Sequence, residues 1–439
     1  MIVAVPRDPA DEGASGRTWR ALVSPIGGVV QRIVQIPLLP TDPGVSMKQA
    51  LVGNGPVWLR APWGSSLDGL GVDTEETTAE LKAVAEALEH YAASVFDESE
   101  LTWASPASLA ACSLDMNDLP QCSSFERSRS KDVPTSPSLT HPIRWVNGRC
   151  LSEDRPVWVP AVMSFLGISS RSPSEAFWIR TSVGCAVHTS PDAAILGGLL
   201  ECIERDAVAL WWLTRQPLPF INTNSSGDDL EVEDLLYEAR RAKLRLRLLD
   251  ATTDLGVPVV ISICEGTDAH HVKTAVGAGA SLDIRTAVRK AILESFQMQR
   301  VLRQAQRPRD AESIRRPVEG AAYMSGEESA QAFRFVADSP PPEPRNKGPI
   351  VERDSSRAQW EALVARLASA GFPTYMVDLT TDELRWADMT AVRVLVPNLQ
   401  PAGVGCRVRF LQSRRLIDLC QAKRIKIPQD LNPFPMPLG

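Results

Sequence analysis

The chain lacks a strong excess of charge of either sign. Its 439 residues include 47 lysines and arginines against 53 acidic residues, which gives a formal net charge of −6. Without a basic excess, a protein has little non-specific affinity for nucleic acid or for an anionic membrane. Short basic runs, such as Arg240 with Arg241 and Arg414 with Arg415, are more simply interpreted as solvated helix faces. The composition therefore predicts no nucleic-acid partner.

Long apolar runs are also missing. Residues 1–6 are apolar over too short a stretch to form the core of a secretory signal. No segment reaches the roughly 20 apolar residues that cross a bilayer. The eight cysteines contain no C-x-x-C pair, which argues against a zinc knuckle and against a disulfide framework. We therefore expect a cytoplasmic protein with reduced cysteines and no membrane partner.

Several catalytic motifs are absent from the sequence. There is no G-x-x-x-x-G-K-[ST] loop, no H-E-x-x-H and no G-x-S-x-G, and the five histidines have no metal-ligand spacing. The run Gly277-Ala278-Gly279-Ala280 resembles a phosphate loop only loosely, and a tight strand-to-helix turn explains it equally well. These absences exclude the commonest nucleotide, metalloprotease and serine hydrolase sites.

What the chain does contain is enough apolar material, 44% of its residues, to bury a large core. Helical periodicity predicts long helices over 75–96, 192–214 and 283–303, and a fourth over 359–370. Alternating or β-branched runs predict a hairpin over 20–39 and strands over 157–165, 244–249, 257–264, 374–379 and 392–396. The fold class is therefore α+β.

Two proline-rich and polar segments interrupt this pattern. Residues 120–142 are predicted to be a mobile surface loop or insertion, and residues 305–357 are predicted to cross the surface without core contacts. We divide the chain into a strand-rich segment, 1–60, and a main domain, 61–439, which ends in a proline-rich tail over 425–439.

Each long helix carries a pair of oxygen-bearing side chains three residues apart. The pairs are Glu86 and Glu89, Glu201 and Glu204, and Glu294 and Gln297. Residues at this spacing lie on one helix face, so three such faces turned inward would form an acidic pocket. Acids are rarely buried without a partner, and Mg²⁺ prefers oxygen ligands. A magnesium-bound nucleotide is therefore the occupant to test.

Ion pairing is the alternative explanation for these acids. Lys82 and His90 lie four residues on either side of Glu86, and Arg205 lies four residues after Glu201, so each could neutralise its neighbour within the helix. Arg289 offers a planar fork of donors suited to a phosphate.

Longer stretches of sequence resemble the YcaO family. The central signature of that family is similar to Thr181-Ser182-x-Gly184 followed by Gly198-Leu199-Leu200-Glu201-x-Ile203-Glu204-Arg205-Asp206-Ala207. Further similarity lies at Ala85-Glu86-Ala87-Leu88-Glu89, from Gly277 to Gln297, at Val377-Asp378-Leu379-Thr380 and at Val396-Pro397-x-Leu399-Gln400. The proline-rich end resembles the tail of ring-forming members, so the resemblance covers roughly residues 60 to 439.

The resemblance implies a YcaO-like fold, with β-sheets and long helices around an interior nucleotide site. It implies an ATP- and Mg²⁺-dependent cyclodehydratase that activates a backbone amide and forms thiazoline or oxazoline rings in a ribosomally made precursor peptide. The residues that it assigns to Mg²⁺ are Glu86, Glu89, Glu201 and Glu204, to which the helical spacing adds Glu294. The residues assigned to ATP are Arg205 and Arg289, with Lys82 and Gln297 added from their positions, and the tail that orders the site contributes Pro433, Pro435, Pro437 and Gly439.

The chain departs from the family pattern at five positions, Leu70, Lys82, His90, Thr189 and Ala193. Lys82 is expected to restore a positive charge near Glu86, whereas Asp192 is rotated away from the lost acid at Ala193. A thioamide-forming enzyme and a non-catalytic scaffold or substrate-binding subunit stay open as alternatives. Because only some seventy residues precede the acidic helix, we expect a separate leader-binding partner protein, and homo-oligomers are plausible.

Overall fold

The computed structural model describes residues 18–53, 67–130, 132–222, 230–341 and 355–439. The strands are β1 Arg32–Gln35, β2 Ser46–Leu51, β3 Gly69–Asp73, β4 Thr102–Ala104, β5 Ile143–Cys150, β6 Arg155–Pro160, β7 Cys185–His188, β8 Arg245–Asp250, β9 Val259–Glu265, β10 Thr274–Ala280, β11 Tyr375–Asp378 and β12 Thr390–Leu395. The α-helices are α1 Glu76–Ser94, α2 Pro106–Leu109, α3 Ser124–Arg129, α4 Ala161–Ser164, α5 Pro191–Thr214, α6 Leu230–Arg241, α7 Ile284–Gln304, α8 Pro317–Tyr323, α9 Ser356–Ser369, α10 Asp382–Trp386 and α11 Arg414–Lys423. The predicted α+β class is confirmed.

The strands form three antiparallel sheets. One contains β1-β2-β3 and a second contains β10-β9-β8. The third has the order β4-β5-β11-β12-β7, with β6 paired to β5 in a hairpin. The first sheet joins strands on either side of residue 60, and the proposed domain boundary there stays a prediction. Of the 1–60 segment, residues 1–17 and 54–60 lie outside the described residues.

The three long helices connect these sheets. Helix α1 packs on β2 and β3 and also reaches β7, α5 packs on β12 and β7 and reaches β10, and α7 packs on β10 and β9. Their predicted bounds were correct to within two residues. Ser190 caps the N-terminus of α5, because its hydroxyl accepts the Ala193 N–H, and Asp283 caps α7 in the same way.

Glycines allow two of these helices to lie directly on strands. A Cβ at Gly69 would lie 2.1 Å from the Ala83 carbonyl of α1, and one at Gly277 would lie 2.3 Å from the Ser295 nitrogen of α7. No larger residue fits at such a distance, so these positions set how closely helix and strand backbones approach. Residues Gly277–Ala280 form the last part of strand β10. Both the phosphate-loop interpretation and the turn interpretation of this run were wrong.

The predicted hairpin over 20–39 was also wrong. A 3₁₀ helix, Trp19–Leu22, is followed by a turn, and β1, the strand described within 20–39, pairs with β2, which lies outside that segment. The segment 120–142 is not free of structure, because it contains α3. Glu126 of α3 is buried and accepts the N–H groups of Arg409 at 2.7 Å and Leu411 at 3.0 Å. This anchor fixes the segment to the core.

The second predicted surface segment, 305–357, contributes to the core as well. It contains α8 and a 3₁₀ helix, Glu327–Asp338. Phe333 is 5% exposed, and its ring centroid lies 5.1 Å from that of Trp212 on α5. Part of this segment, 342–354, lies outside the described residues, so the prediction is untested there. Within the described ranges, no helix has the length and apolar character needed to cross a membrane.

Candidate active site

The predicted acids on α1, α5 and α7 each accept a hydrogen bond from a backbone N–H in or beside a strand. The pairs are Glu86 with Leu70 at 2.5 Å, Glu89 with Val187 at 3.2 Å, Glu201 with Gly184 at 2.9 Å, Glu204 with Ala280 at 2.9 Å, and Glu294 with Ala278 at 2.5 Å. One oxygen of each carboxylate is thereby fixed. The sheets position the acids, and the second oxygen of each side chain is left for another partner.

Arg205 lies at the centre of three of these acids. Its Nε is 3.6 Å from Glu201 Oε1 and 3.8 Å from Glu204 Oε1, and its Nη2 is 3.9 Å from Glu294 Oε1. These are the oxygens that the strands leave unbound. The Nε of Arg205 is buried and has no hydrogen-bond partner. The ion pair that was considered as an alternative does exist, but Arg205 joins three carboxylates on two helices rather than one.

Burial of these acids raises several pKa values. Desolvation raises the pKa of Glu86, and it raises the pKa of Glu89 well above its usual range, with repulsion from Glu201 acting in the same direction on both. Desolvation and the neighbouring Glu204 raise the pKa of Glu294 to about 7, although Arg205 opposes the shift. Desolvation and mutual repulsion both disfavour the charged form of carboxylates that are buried close together. Such groups are typical of sites that bind cations.

Lys82 does not neutralise Glu86 as expected. Its Nζ donates to Asp73 Oδ2 at 2.7 Å and to the Val72 carbonyl at 3.2 Å. Arg289 donates to the other oxygen of the same carboxylate, Asp73 Oδ1, at 2.5 Å, and its Nε lies 2.8 Å from Glu231. Two of the three cations predicted to bind phosphate, Lys82 and Arg289, therefore meet at one buried acid, Asp73, at the end of β3.

Asp73 and Lys290 are two residues of this region that the sequence analysis missed. The Asp73 side chain is 0% exposed, and although burial raises its pKa, Lys82 and Arg289 bring the pKa below its usual range. Lys290 donates to the Ala280 carbonyl at 3.1 Å, and burial lowers its pKa to about 8. Asp73 could have been found from its position, because it is a polar residue that ends a strand shortly before a helix. Lys290 could have been found because it follows Arg289 in the sequence.

The donor set fits a magnesium-bound nucleotide. Gln297 is 8% exposed and its Oε1 has no hydrogen-bond partner, so this amide oxygen is available to a ligand. Among the described residues, no three His, Cys, Asp or Glu side chains form a ready-made metal cluster. Mg²⁺ usually takes one or two carboxylates together with substrate phosphates and waters. The carboxylates of this region are suited to Mg²⁺, and the neighbouring Lys82, Arg289 and Lys290 are suited to the phosphates.

The C-terminal tail lies along α5. Trp212 Nε1 donates to the Phe434 carbonyl at 3.1 Å, and Arg205 Nη1 donates to a Gly439 oxygen at 3.4 Å. Pro435 and Pro437 are buried, whereas Pro433 is exposed. The structure therefore brings Gly439 to the acidic pocket and packs two prolines behind it. The catalytic role assigned to these four residues stays a prediction.

The altered positions have distinct surroundings. His90 lies close enough to Glu86 to oppose the rise in its pKa, and the His90 Nδ1 is buried without a hydrogen-bond partner. Asp192 accepts the Trp360 Nε1–H at 2.8 Å, so it does not replace the acid missing at Ala193. Leu70 supplies a backbone N–H, not a side chain, to Glu86.

A family model described as YcaO cyclodehydratase, ATP- and Mg²⁺-binding, matches residues 70–400. The chain belongs to the YcaO family. An uncharacterized protein of Methanothermobacter thermautotrophicus is 27% identical to the YcaO chain over 350 residues, which cover 77% of this chain and 84% of that protein. ATP and Mg²⁺ are confirmed as the cofactors by the family match.

Solved structures share the fold. A heterocyclase in complex with substrate and cofactor superposes with a TM-score of 0.76 at 22% identity, covering 96% of this chain and 56% of that one. YcaO from Methanopyrus kandleri, bound with AMPPCP and Mg²⁺, gives 0.62 at 21% identity, with 84% and 86% covered. The E. coli microcin synthetase McbBCD complex with pro-MccB17 bound gives 0.59 at 14% identity, with 86% and 90% covered. The expected YcaO-like architecture is confirmed, and the chain spans just over half of the heterocyclase. The family match supports an ATP-dependent enzyme.

Proposed function

We propose that this YcaO protein uses MgATP to activate a backbone amide of a ribosomally made precursor peptide and so forms thiazoline or oxazoline rings. The observation that carries the proposal is the position of Arg205, 3.6 to 3.9 Å from carboxylates of α5 and α7. The other oxygen of each carboxylate is fixed by a backbone N–H in or beside a strand. Such a pocket is preorganised before a ligand enters, and phosphoryl transfer depends mostly on positioning and charge neutralisation.

The residues divide into two groups by charge. The acids that would hold Mg²⁺ are Glu86, Glu89, Glu201, Glu204 and Glu294. The cations that would contact phosphate are Arg205, Arg289 and Lys82, with Gln297 as a neutral ligand. Mg²⁺, when bound, neutralises charge that develops on the transferred phosphoryl group. Lys82 and Arg289 are held by Asp73, so they present a fixed positive region rather than mobile side chains.

The reaction balances as a dehydration driven by ATP. A cysteine, serine or threonine side chain adds to the carbon of the preceding carbonyl and loses its proton. The resulting oxyanion takes the terminal phosphoryl group of ATP, and ADP leaves. Phosphate then departs with the former carbonyl oxygen while the amide nitrogen loses its proton, which forms the C=N bond of the ring.

A precursor peptide and a separate leader-binding protein are the proposed partners. The microcin synthetase with the same fold is a complex of several proteins with a bound pro-peptide. We infer that this chain is likewise supplied with its peptide by another protein.

The test uses a precursor whose reacting carbonyl carries a heavy-oxygen label, incubated with MgATP, this protein and the partner. We expect one water lost per ring and the heavy oxygen in the released phosphate. Glu204→Gln should reduce turnover ~10²-fold or more, because it removes a charge from the preorganised site. Glu361→Gln, at an exposed ion pair with Arg357, is the matched control. Label retained in the peptide during ring formation would contradict the mechanism, and sulfur incorporation would identify thioamide chemistry instead.

A further inference from the structure

The C-terminal tail is held to the rest of the protein by side-chain donors. No strand of the described chain pairs with it. Instead, four of its backbone carbonyls each accept a hydrogen bond from a side chain outside the tail. The pairs are Asp430 with Arg215 Nη2 at 2.5 Å, Asn432 with Arg409 Nη2 at 2.5 Å, Pro433 with Cys406 Sγ at 3.2 Å, and Phe434 with Trp212 Nε1 at 3.1 Å. The position of the tail therefore depends on a few identified donors.

Arg409 differs from the other three donors because it is a buried cation. It is 9% exposed, and burial lowers the pKa of its guanidinium. Arg407, two residues earlier, is 7% exposed and pairs with Asp132 at 3.0 Å, whereas Arg409 forms no ion pair within the part of the chain that the structure describes. A buried charge without a carboxylate partner is costly, so the hydrogen bonds of its guanidinium must offset that cost. The bond to the Asn432 carbonyl is the one that the tail supplies.

Arg409 also joins the tail to two turns of α5. Its carbonyl accepts Gln400 Nε2 at 3.0 Å, and the backbone N–H of Gln400 donates to Asp206 Oδ1 at 2.8 Å. Asp206 lies one residue after the arginine of the acidic pocket. At the tail itself, the Asn432 N–H donates to the Leu213 carbonyl of α5 at 2.8 Å. These bonds form a closed circuit that leads from α5 through Arg409 to the tail and back to α5.

The rest of the tail is stiff enough to carry the position of Asn432 to Gly439. Three of the seven residues that follow Asn432 are prolines, and each proline ring fixes its own φ angle. Proline-rich segments of this kind behave as semi-rigid spacers. Gly439 lies at the acidic pocket, where its oxygen accepts Arg205 Nη1 at 3.4 Å. A shift at the Asn432 carbonyl therefore moves an oxygen that contacts the site.

We propose that Arg409 is a positioning residue of this protein, which fixes the Asn432 carbonyl and thereby places the end of the tail at Arg205. The inference rests on the function proposed above, with the tail as part of the site. The guanidinium of Arg409 binds the tail and not the acids of the pocket, so its effect on turnover passes through the tail. A misplacement of ~1 Å can lower a rate by up to ~10²-fold, which makes such an anchor measurable.

Hydrogen exchange of the peptide that covers 430–439, measured by mass spectrometry, tests the anchor without any turnover. Arg409→Met keeps an apolar stem but removes the donors, and it should raise the exchange rate of this peptide ~10-fold. Arg409→Lys keeps a cation with a shorter reach and should raise the rate by a smaller factor. Arg407→Met is the matched control, because Arg407 donates to the Ile314 carbonyl at 2.9 Å and not to the tail, and it should leave the rate unchanged. Wild-type exchange in both Arg409 variants, or an equal rise in Arg407→Met, would overturn the proposal.

Steady-state turnover shows whether Arg409 acts through the tail. Arg409→Met should lower kcat ~10-fold with little change in MgATP affinity, because the acids and cations of the pocket are untouched. Deleting Gly439 should lower kcat of wild type by a similar factor but should cost Arg409→Met little more, since both changes remove the same contact. Additive losses of ~100-fold in the double variant would overturn the proposal. Faster tail exchange in Arg409→Met, together with no ring formation by wild type, would support the anchor and refute only the proposed reaction.

Discussion

Replacing Asp73 by asparagine should strongly destabilise the protein. Its side chain is 0% exposed, and it accepts Lys82 at 2.7 Å and Arg289 at 2.5 Å, whose side chains are 10% and 22% exposed. Asp73→Asn keeps the volume but removes the charge that compensates both cations. Breaking a buried pair by removing one partner typically costs ~3–5 kcal/mol. In the variant, Arg289 keeps its contact with Glu231, so part of its charge stays compensated. We therefore expect a loss of ~3 kcal/mol in the free energy of unfolding.

Urea unfolding at neutral pH measures this loss. The exposed pair Arg357–Glu361, at 2.9 Å with side chains 68% and 49% exposed, provides the control. Glu361→Gln should change the free energy of unfolding by less than ~0.5 kcal/mol. Because the pKa of Asp73 is below its unfolded value, its stabilisation is present above that unfolded pKa and is lost as the pH falls through the folded pKa. The difference between wild type and Asp73→Asn should therefore shrink in acid. A loss below ~1 kcal/mol at neutral pH would refute the assigned role of Asp73.

Three further predictions concern packing, titration and the tail. A Cβ at Gly277 would lie 2.3 Å from an α7 backbone nitrogen, whereas one at Gly27 would meet nothing within 4 Å. Gly277→Ala should thus lose ~2 kcal/mol in urea unfolding and Gly27→Ala almost nothing, and equal losses would contradict the close packing. Burial raises the pKa of Glu294 from 4.5 to about 7, so the folded protein retains a proton that the unfolded chain releases. Without nucleotide, the free energy of unfolding should therefore fall as the pH rises between these two values. Glu294→Gln should weaken this dependence of stability on pH, and an unchanged dependence would contradict the raised pKa. Deleting Gly439 should lower turnover ~10-fold by removing the oxygen that Arg205 contacts at 3.4 Å, and full activity would show that Gly439 has no part in the site.

Local patterns were sufficient to predict the long helices and the face that each turns inward. The predicted helix over 192–214 is observed as Pro191–Thr214, because apolar periodicity acts between residues three or four apart. Glu201 and Glu204 were recognised for the same reason. Strand pairing is less local, so the predicted N-terminal hairpin was wrong: β1 pairs with β2, which begins eleven residues after β1 ends and lies outside the segment 20–39.

Contacts between distant parts of the chain were beyond local patterns. Asp73 and Arg289 are 216 residues apart, and nothing in either neighbourhood specifies the pairing. Lys82 was expected to neutralise Glu86 in the same helix, but its Nζ instead donates to the buried carboxylate of Asp73 at 2.7 Å. The segment around Phe333 was predicted to lie at the surface because its neighbours in sequence are polar. The Phe333 ring nevertheless packs against Trp212, which removes apolar surface of both side chains from water.

Magnesium-dependent binding of ATP tests the central claim most directly, namely that the carboxylates around Arg205 hold a magnesium nucleotide. Isothermal titration with ATP, with and without Mg²⁺, compares wild type, Glu201→Gln and Glu361→Gln, a surface control whose partner is Arg357. The account predicts binding that requires Mg²⁺, a ~10–100-fold loss in Glu201→Gln and wild-type affinity in Glu361→Gln. Equal ATP affinity in the presence of a chelator, or unchanged affinity in Glu201→Gln, would contradict it.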